Sequence, residues 1–139
     1  MKGSSDLNVL LKLPTPQDIV ATILAYSDLD TFPSDRKELH RFMKNEREGE
    51  GKQLLSAFVF SQGVDLFPFS RLLESVLMQL QLGGWLSAKN PEYERLGITG
   101  KKRSEIKDKA VERFSREELS ILQKIGRRFR ESFSTPNTN

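Results

Sequence analysis

The chain has 139 residues, 37% hydrophobic and 29% charged, with a formal net charge of +3, a size and balance that suit one well-buried domain and exclude wholesale disorder. It contains no cysteine, so disulfides, thiolate metal sites and thiol nucleophiles are excluded, in keeping with a reducing cytoplasmic location. No apolar run approaches the roughly 20 residues of a membrane-crossing helix, and a soluble protein is expected.

Residues 1–14 read as a mobile lead-in. Within it, Val9, Leu10 and Leu11 form an apolar patch that is shorter than a signal-peptide core, lacks a cleavage site after it, and suits a first strand. Thr15-Pro16-Gln17-Asp18 then supplies a hydroxyl cap, a proline at the first helical position and a carboxylate at the positive helix end. This predicts a helix to about Tyr26, with Ile19, Val20, Ile23 and Leu24 inward. Asp28 to Pro33 breaks it, and Ser34 or Asp35 caps a second helix to about Arg47 whose inward face is Leu39, Phe42 and Met43.

Glu48-Gly49-Glu50-Gly51 is a loop, because two glycines amid charge do not readily continue a helix. Over residues 53–61 the spacing of Leu54, Leu55, Phe58 and Val59 favours a helix, although Phe58-Val59-Phe60 also passes as strand; Gly63 ends the segment. From Pro68, Ser70 caps a third helix whose stripe is Leu72, Leu73, Val76, Leu77 and Leu80, and Gly83-Gly84 stops it. Trp85-Leu86-Ser87 and Tyr93 to Thr99 follow as two antiparallel strands around the turn Ala88-Lys89-Asn90-Pro91.

Thr99 caps a charged helix from Gly100 to Arg113 in which Ile106, Ala110 and Val111 point inward. Ser115-Arg116-Glu117-Glu118 matches the capping box, in which Ser and Glu satisfy each other's backbone donors. The helix that follows runs to about Ser132. Its stripe of Leu119, Leu122, Ile125, Phe129 and Phe133 opposes Lys124 and Arg127, and it either packs on its own domain or pairs with a second copy. Residues 134–139 form a polar tail. The expectation is one domain over residues 15–133, mainly α with a small β-hairpin (α+β). Residues 69–99 supply the helix, glycine stop and hairpin of a winged-helix-like unit with extra C-terminal helices.

Phe67-Pro68-Phe69-Ser70-Arg71-Leu72-Leu73-Glu74, continuing to Leu80 and Gly83-Gly84-Trp85-Leu86, resembles the aromatic-Gly-Pro-Phe-Ser pattern of small bacterial winged-helix-like proteins. These are the YwgA-like proteins and the Panacea-type, SocA-like antitoxin group. Gly51-Lys52-Gln53-Leu54-Leu55-Ser56-Ala57-Phe58 resembles that group's Lys-Leu-x-x-Leu helix, and Leu96-Gly97-Ile98-Thr99 its Leu-Thr step into the next helix. Phe67 stands where the pattern has Gly. The resemblance implies a regulatory or defence-related protein and brings no catalytic residue with it.

Chemistry finds little to work with in these residues. His40, the only histidine, has Arg36 and Lys44 one turn away on either side, cations that disfavour imidazolium and repel a metal; a surface or half-buried structural role is expected. Asp28 and Asp30 suit a helix-ending turn better than a metal site, which needs more ligands. In Gly97-Ile98-Thr99-Gly100-Lys101-Lys102 the spacing refuses a phosphate loop, since Arg95 stands where the first Gly is needed and Lys102 where Ser or Thr is. No enzyme, cofactor, metal or small-molecule substrate is read from the sequence.

Charge is unevenly placed. Residues 1–69 hold 8 basic and 10 acidic side chains, and residues 70–139 hold 14 and 9, a bias that suits phosphate or an acidic protein face and equally suits solvated helices. At about 100° per residue the outer face of the third helix carries Arg71, Glu74, Ser75, Met78 and Leu82, with Gln79 and Gln81 at its margins. The expectation is a non-enzymatic regulatory module. DNA binding comes first by analogy of fold, through Arg71, Lys89, Arg95, Lys101, Lys102 and Arg103. The alternative is a protein-binding, antitoxin-like adaptor or homodimer, with Met78, Leu82, Leu122, Ile125, Phe129 and Phe133 at its interface.

Overall fold

A computed structural model describes residues 14–62, 67–89 and 95–134, Lys89 by its backbone alone. The apolar patch at Val9 to Leu11, Gly63, Asn90, Pro91, Tyr93 and most of the polar tail lie outside the described residues. The chain is mainly helical with a small antiparallel sheet.

Helix α1 (Pro16–Tyr26) starts as its sequence dictates. Thr15 Oγ1 accepts from the Asp18 N–H at 3.1 Å and Asp18 Oδ2 accepts from the Thr15 N–H at 2.9 Å, a reciprocal cap that contributes on the order of 1 kcal/mol. Every residue from Ile19 to Ala25 is buried. Asp28, in the left-handed region at φ 57°, turns the chain away from α1; aspartate tolerates this conformation better than most side chains.

The chain then forms β1 (Thr31–Pro33), a strand where the sequence indicated only a break. It pairs antiparallel with β5 (Arg95–Gly97), which pairs with β4 (Ser87–Lys89), giving the order β1-β5-β4. Three residues are too few to show strand alternation. Their signal is Phe32, which is 1% exposed and meets Phe129 edge to face at 5.3 Å.

Asp35 caps α2 (Arg36–Arg47), accepting from the Lys37 N–H at 3.0 Å, and Leu39, Phe42 and Met43 face the core as expected. Residues 51–57 form successive turns in place of the expected helix. Leu55 and Phe58 are fully buried while Val59 is 69% exposed, so the stripe that suggested a helix is not used as one. Gly51 sits where a Cβ would lie 3.0 Å from the Glu46 carbonyl, Ile125 and Leu55, so close approach to α2 and the C-terminal helix fixes this segment. Two short strands, β2 (Ser61–Gln62) and β3 (Pro68–Phe69), then pair.

Ser70 caps α3 (Arg71–Leu82), its Oγ accepting from the Leu73 N–H at 3.1 Å, and Gly84 at φ 82° follows its end. The N–H groups of Trp85 and Leu86 both donate to the Leu80 carbonyl, at 2.9 and 3.1 Å. The end of α3 therefore holds those two residues, β4 begins only at Ser87, and Ala88 and Lys89, expected in the turn, are strand residues.

Thr99 caps α4 (Gly100–Arg113), and Ser115 with Glu118 forms the expected capping box of α5 (Arg116–Phe133). On α4, Ile106 and Ala110 are buried, but Val111 is 63% exposed because it lies well round the helix from them. On α5, Leu122, Ile125, Phe129 and Phe133 are buried within the chain itself. These four are therefore core residues and no free interface: Phe129 packs on Phe32 and on Phe42, the latter at 5.1 Å, and the helix lies along α1.

Gly126 permits that contact. A Cβ there would stand 2.8 Å from Tyr26 Cβ and 2.9 Å from the Ile23 carbonyl. Gly to Ala inside a helix ordinarily stabilises by about 1 kcal/mol, but here overpacking of about 1–3 kcal/mol or more opposes it. Gly126→Ala is expected to lower the denaturant midpoint; a raised midpoint would show that α1 and α5 are not so closely packed.

Candidate functional site

The outer face of α3 carries Arg71, from the residues expected to meet DNA, and Met78 and Leu82, from those expected at a protein interface. Arg71, Ser75, Met78, Gln79 and Leu82 are exposed there, Met78 at 58% and Leu82 at 81%. The C-terminal helix does not cover them, since α5 packs along α1. A groove of about 300 Å³ adjoins this face, its apolar lining from Leu39, Leu77, Met78, Ala88 and Leu96 and its polar lining from Ser34, Arg36, Glu74 and Gln81.

Glu74 occupies the same helix with its charge answered. Its Oε2 accepts from Arg36 Nε at 3.0 Å and lies 2.8 Å from His40 Nε2. His40 is fully buried, a correction to the surface or half-buried place expected for it. Its Nδ1 accepts from the Ser70 N–H at 2.9 Å, which leaves the ring proton on Nε2, donated to Glu74. The ring stacks on Phe69 at 4.8 Å and meets Phe60 and Phe67 edge-on.

One imidazole thus ties α2 to the start of α3. Both ring nitrogens are engaged and no ring surface is open, which leaves no position for a substrate proton. Nothing in the flanking residues announced this, because the partners lie 30 and 34 positions away. Among the described residues no cluster of His, Asp or Glu could hold a metal ion.

Three of the six residues of the expected basic patch are engaged within the chain. Arg103 binds Asp30, Lys102 donates to the Gly84 carbonyl, and Arg95 Nε donates to Thr31 Oγ1 at 3.0 Å. The two aspartates read as turn residues serve as acceptors, Asp28 for Lys107 at 2.7 Å and Asp30 for Arg103. Arg113 pairs with Asp18 at 2.6 Å, Lys124 with Glu50, and Arg128 with Glu46 through two bonds of 2.7 and 2.8 Å.

The charge bias between the two halves is therefore in good part an internal complementarity, with the basic second half closing on the acidic first. Arg71 and Lys101 are exposed and have no bonding partner among the described residues. They belong to different helices, Arg71 to the start of α3 and Lys101 to the start of α4. The Lys89 side chain lies outside the described residues.

Burial lowers the pKa of His40 below its ordinary 6.5; the Glu74 hydrogen bond and charge pull it upward and Arg36 acts with burial. The unfolded chain therefore takes up the proton first. Stability is full above about pH 6.5, falls as the pH drops below it, and levels off once the folded ring is also protonated. Between about pH 7.5 and pH 5, wild type is expected to lose more stability than His40→Asn, which keeps an acceptor near the Ser70 N–H. Equal slopes in denaturant melts would remove His40 from the pH response.

No family model, curated protein or solved structure matches the chain.

Proposed function

We propose that the chain is a non-enzymatic, winged-helix-type interaction module that binds another protein through the outer face of α3. The winged-helix reading is supported by the order α1, β1, α2, α3, β4, β5, with the short β2-β3 pair inserted between α2 and α3, and by the sheet order β1-β5-β4. Two C-terminal helices, α4 and α5, complete the core.

The observation that carries protein binding is the pair Met78 and Leu82, exposed on the face where a DNA-reading helix carries basic and amide groups. Met on an exposed face suits an adaptable apolar contact. A polyanion needs several free cations, and of the six expected here three are engaged internally. The segment between β4 and β5 also adds Glu92 and Glu94 to the sequence, charges that repel phosphate. An apolar protein segment is the occupant that fits this face and its groove. A bacterial regulatory, antitoxin-like role, implied by the resemblance of residues 51–99, accords with such a contact.

DNA binding is the second reading, favoured by the fold order and by unpaired Arg71 and Lys101. Photo-crosslinking residues at positions 78 and 82, with position 111 as an exposed control, distinguish the two. The expected result is one cross-linked protein, identified and purified. It should bind wild type at least about tenfold more tightly than the Met78→Glu, Leu82→Glu double variant, a difference of roughly 1.4 kcal/mol. Both side chains are exposed, so the variant should keep its melting temperature. Equal cross-linking from 78, 82 and 111, or salt-dependent retention of duplex DNA by wild type, would overturn the protein-binding reading.

A further inference from the structure

Away from the α3 face, α1, the end of α3, Trp85 and α4 enclose a cleft of about 200 Å³. Its apolar lining comes from Ala21, Leu80, Ile106, Ala110 and Phe114, with the Trp85 ring at one side. Ala21 and Ala110 are small residues on two packed helices, and larger side chains there would fill the space. Thr22, 2% exposed, also lines the cleft, and its hydroxyl makes no hydrogen bond with any described residue.

The polar groups of this cleft are unequally satisfied. Asp18 uses both carboxylate oxygens, one for Arg113 at 2.6 Å and one for the Thr15 N–H at 2.9 Å. Lys109 Nζ stands 5.2 Å from the Trp85 ring centroid. It binds neither Glu105 nor Glu112, its neighbours on the same helix, nor any other described carboxylate. Arg113 gives only Nη1 to Asp18 and keeps further donors of its fork. The unfilled capacity is cationic, next to an aromatic plane and an apolar floor.

We infer that this cleft binds a small aromatic carboxylate. The ring lies against Trp85 between Ala21 and Ala110. The carboxylate draws the ammonium of Lys109 off the Trp85 ring and takes the remaining donors of Arg113. A hydroxyl on the ring can reach Thr22. The volume is below the roughly 300–1,000 Å³ of pockets for drug-sized ligands, which restricts the ligand to a single ring. This inference does not depend on whether α3 meets protein or DNA.

Trp85 is the only tryptophan, so its emission reports on the cleft alone. Sodium benzoate, titrated into the full chain at constant ionic strength, is expected to change that emission saturably with a Kd of about 1 mM or tighter. Benzamide has the ring without the charge and acetate the charge without the ring; each should bind at least about tenfold more weakly. Lys109→Met, a substitution at an exposed position, should leave the melting temperature unchanged and weaken benzoate about tenfold or more, with calorimetry giving the same Kd as fluorescence. No saturable change, equal binding of benzoate and benzamide, or an unaltered Kd in Lys109→Met would overturn the inference.

Discussion

From Ile19 to Ala25, α1 has no residue that faces water. A helix apolar on all sides must be enclosed, and most of the fold follows from that requirement. α5 lies along α1 and touches its backbone at Gly126, α4 and α3 close two further sides, and Phe32 of β1 reaches Phe129 in the same core. The sheet is small because most of the burial is done by helices.

The second constraint is electrostatic and joins parts distant in sequence. Arg113 to Asp18, Lys107 to Asp28, Arg103 to Asp30 and Arg128 to Glu46 each connect a C-terminal helix with the first half of the chain. Singly, such partly exposed pairs contribute little, about 0–1 kcal/mol. Together they link α4 and α5 to α1, to the turn after it and to α2. Five of the 14 basic side chains over residues 70–139 thus answer carboxylates of the first half, so part of the charge bias belongs to the assembly of the fold.

Local chemistry was legible in the sequence. The caps at Thr15, Asp35, Ser70, Thr99 and Ser115 mark helix starts with their own side chains, and the stripes of α1, α2, α3 and α5 follow helical period. Features set by distant partners were not legible. Thr31 to Pro33 is a strand through its pairing with β5, and residues 51–57 form turns that begin at Gly51, closely packed against Glu46, Leu55 and Ile125. His40, read from its neighbours Arg36 and Lys44, was placed near water, yet its environment comes from Phe69, Ser70 and Glu74. The candidate site divides the same way: exposure of Met78 and Leu82 follows from helix geometry, whereas burial of Leu122 to Phe133 within the chain depends on where α5 packs.

Leu80 accepts two N–H groups from Trp85 and Leu86, the residues that lead into β4. This ties the hairpin to α3 at its root, while the His40 bridge ties the start of α3 to α2 at the other end. The two ends of α3 are thus held by different parts of the chain, its start by α2 and its end by the residues that lead into β4. The outward placement of Met78 and Leu82 is the geometrical counterpart of burying Leu73, Val76, Leu77 and Leu80 on the opposite side of the same helix.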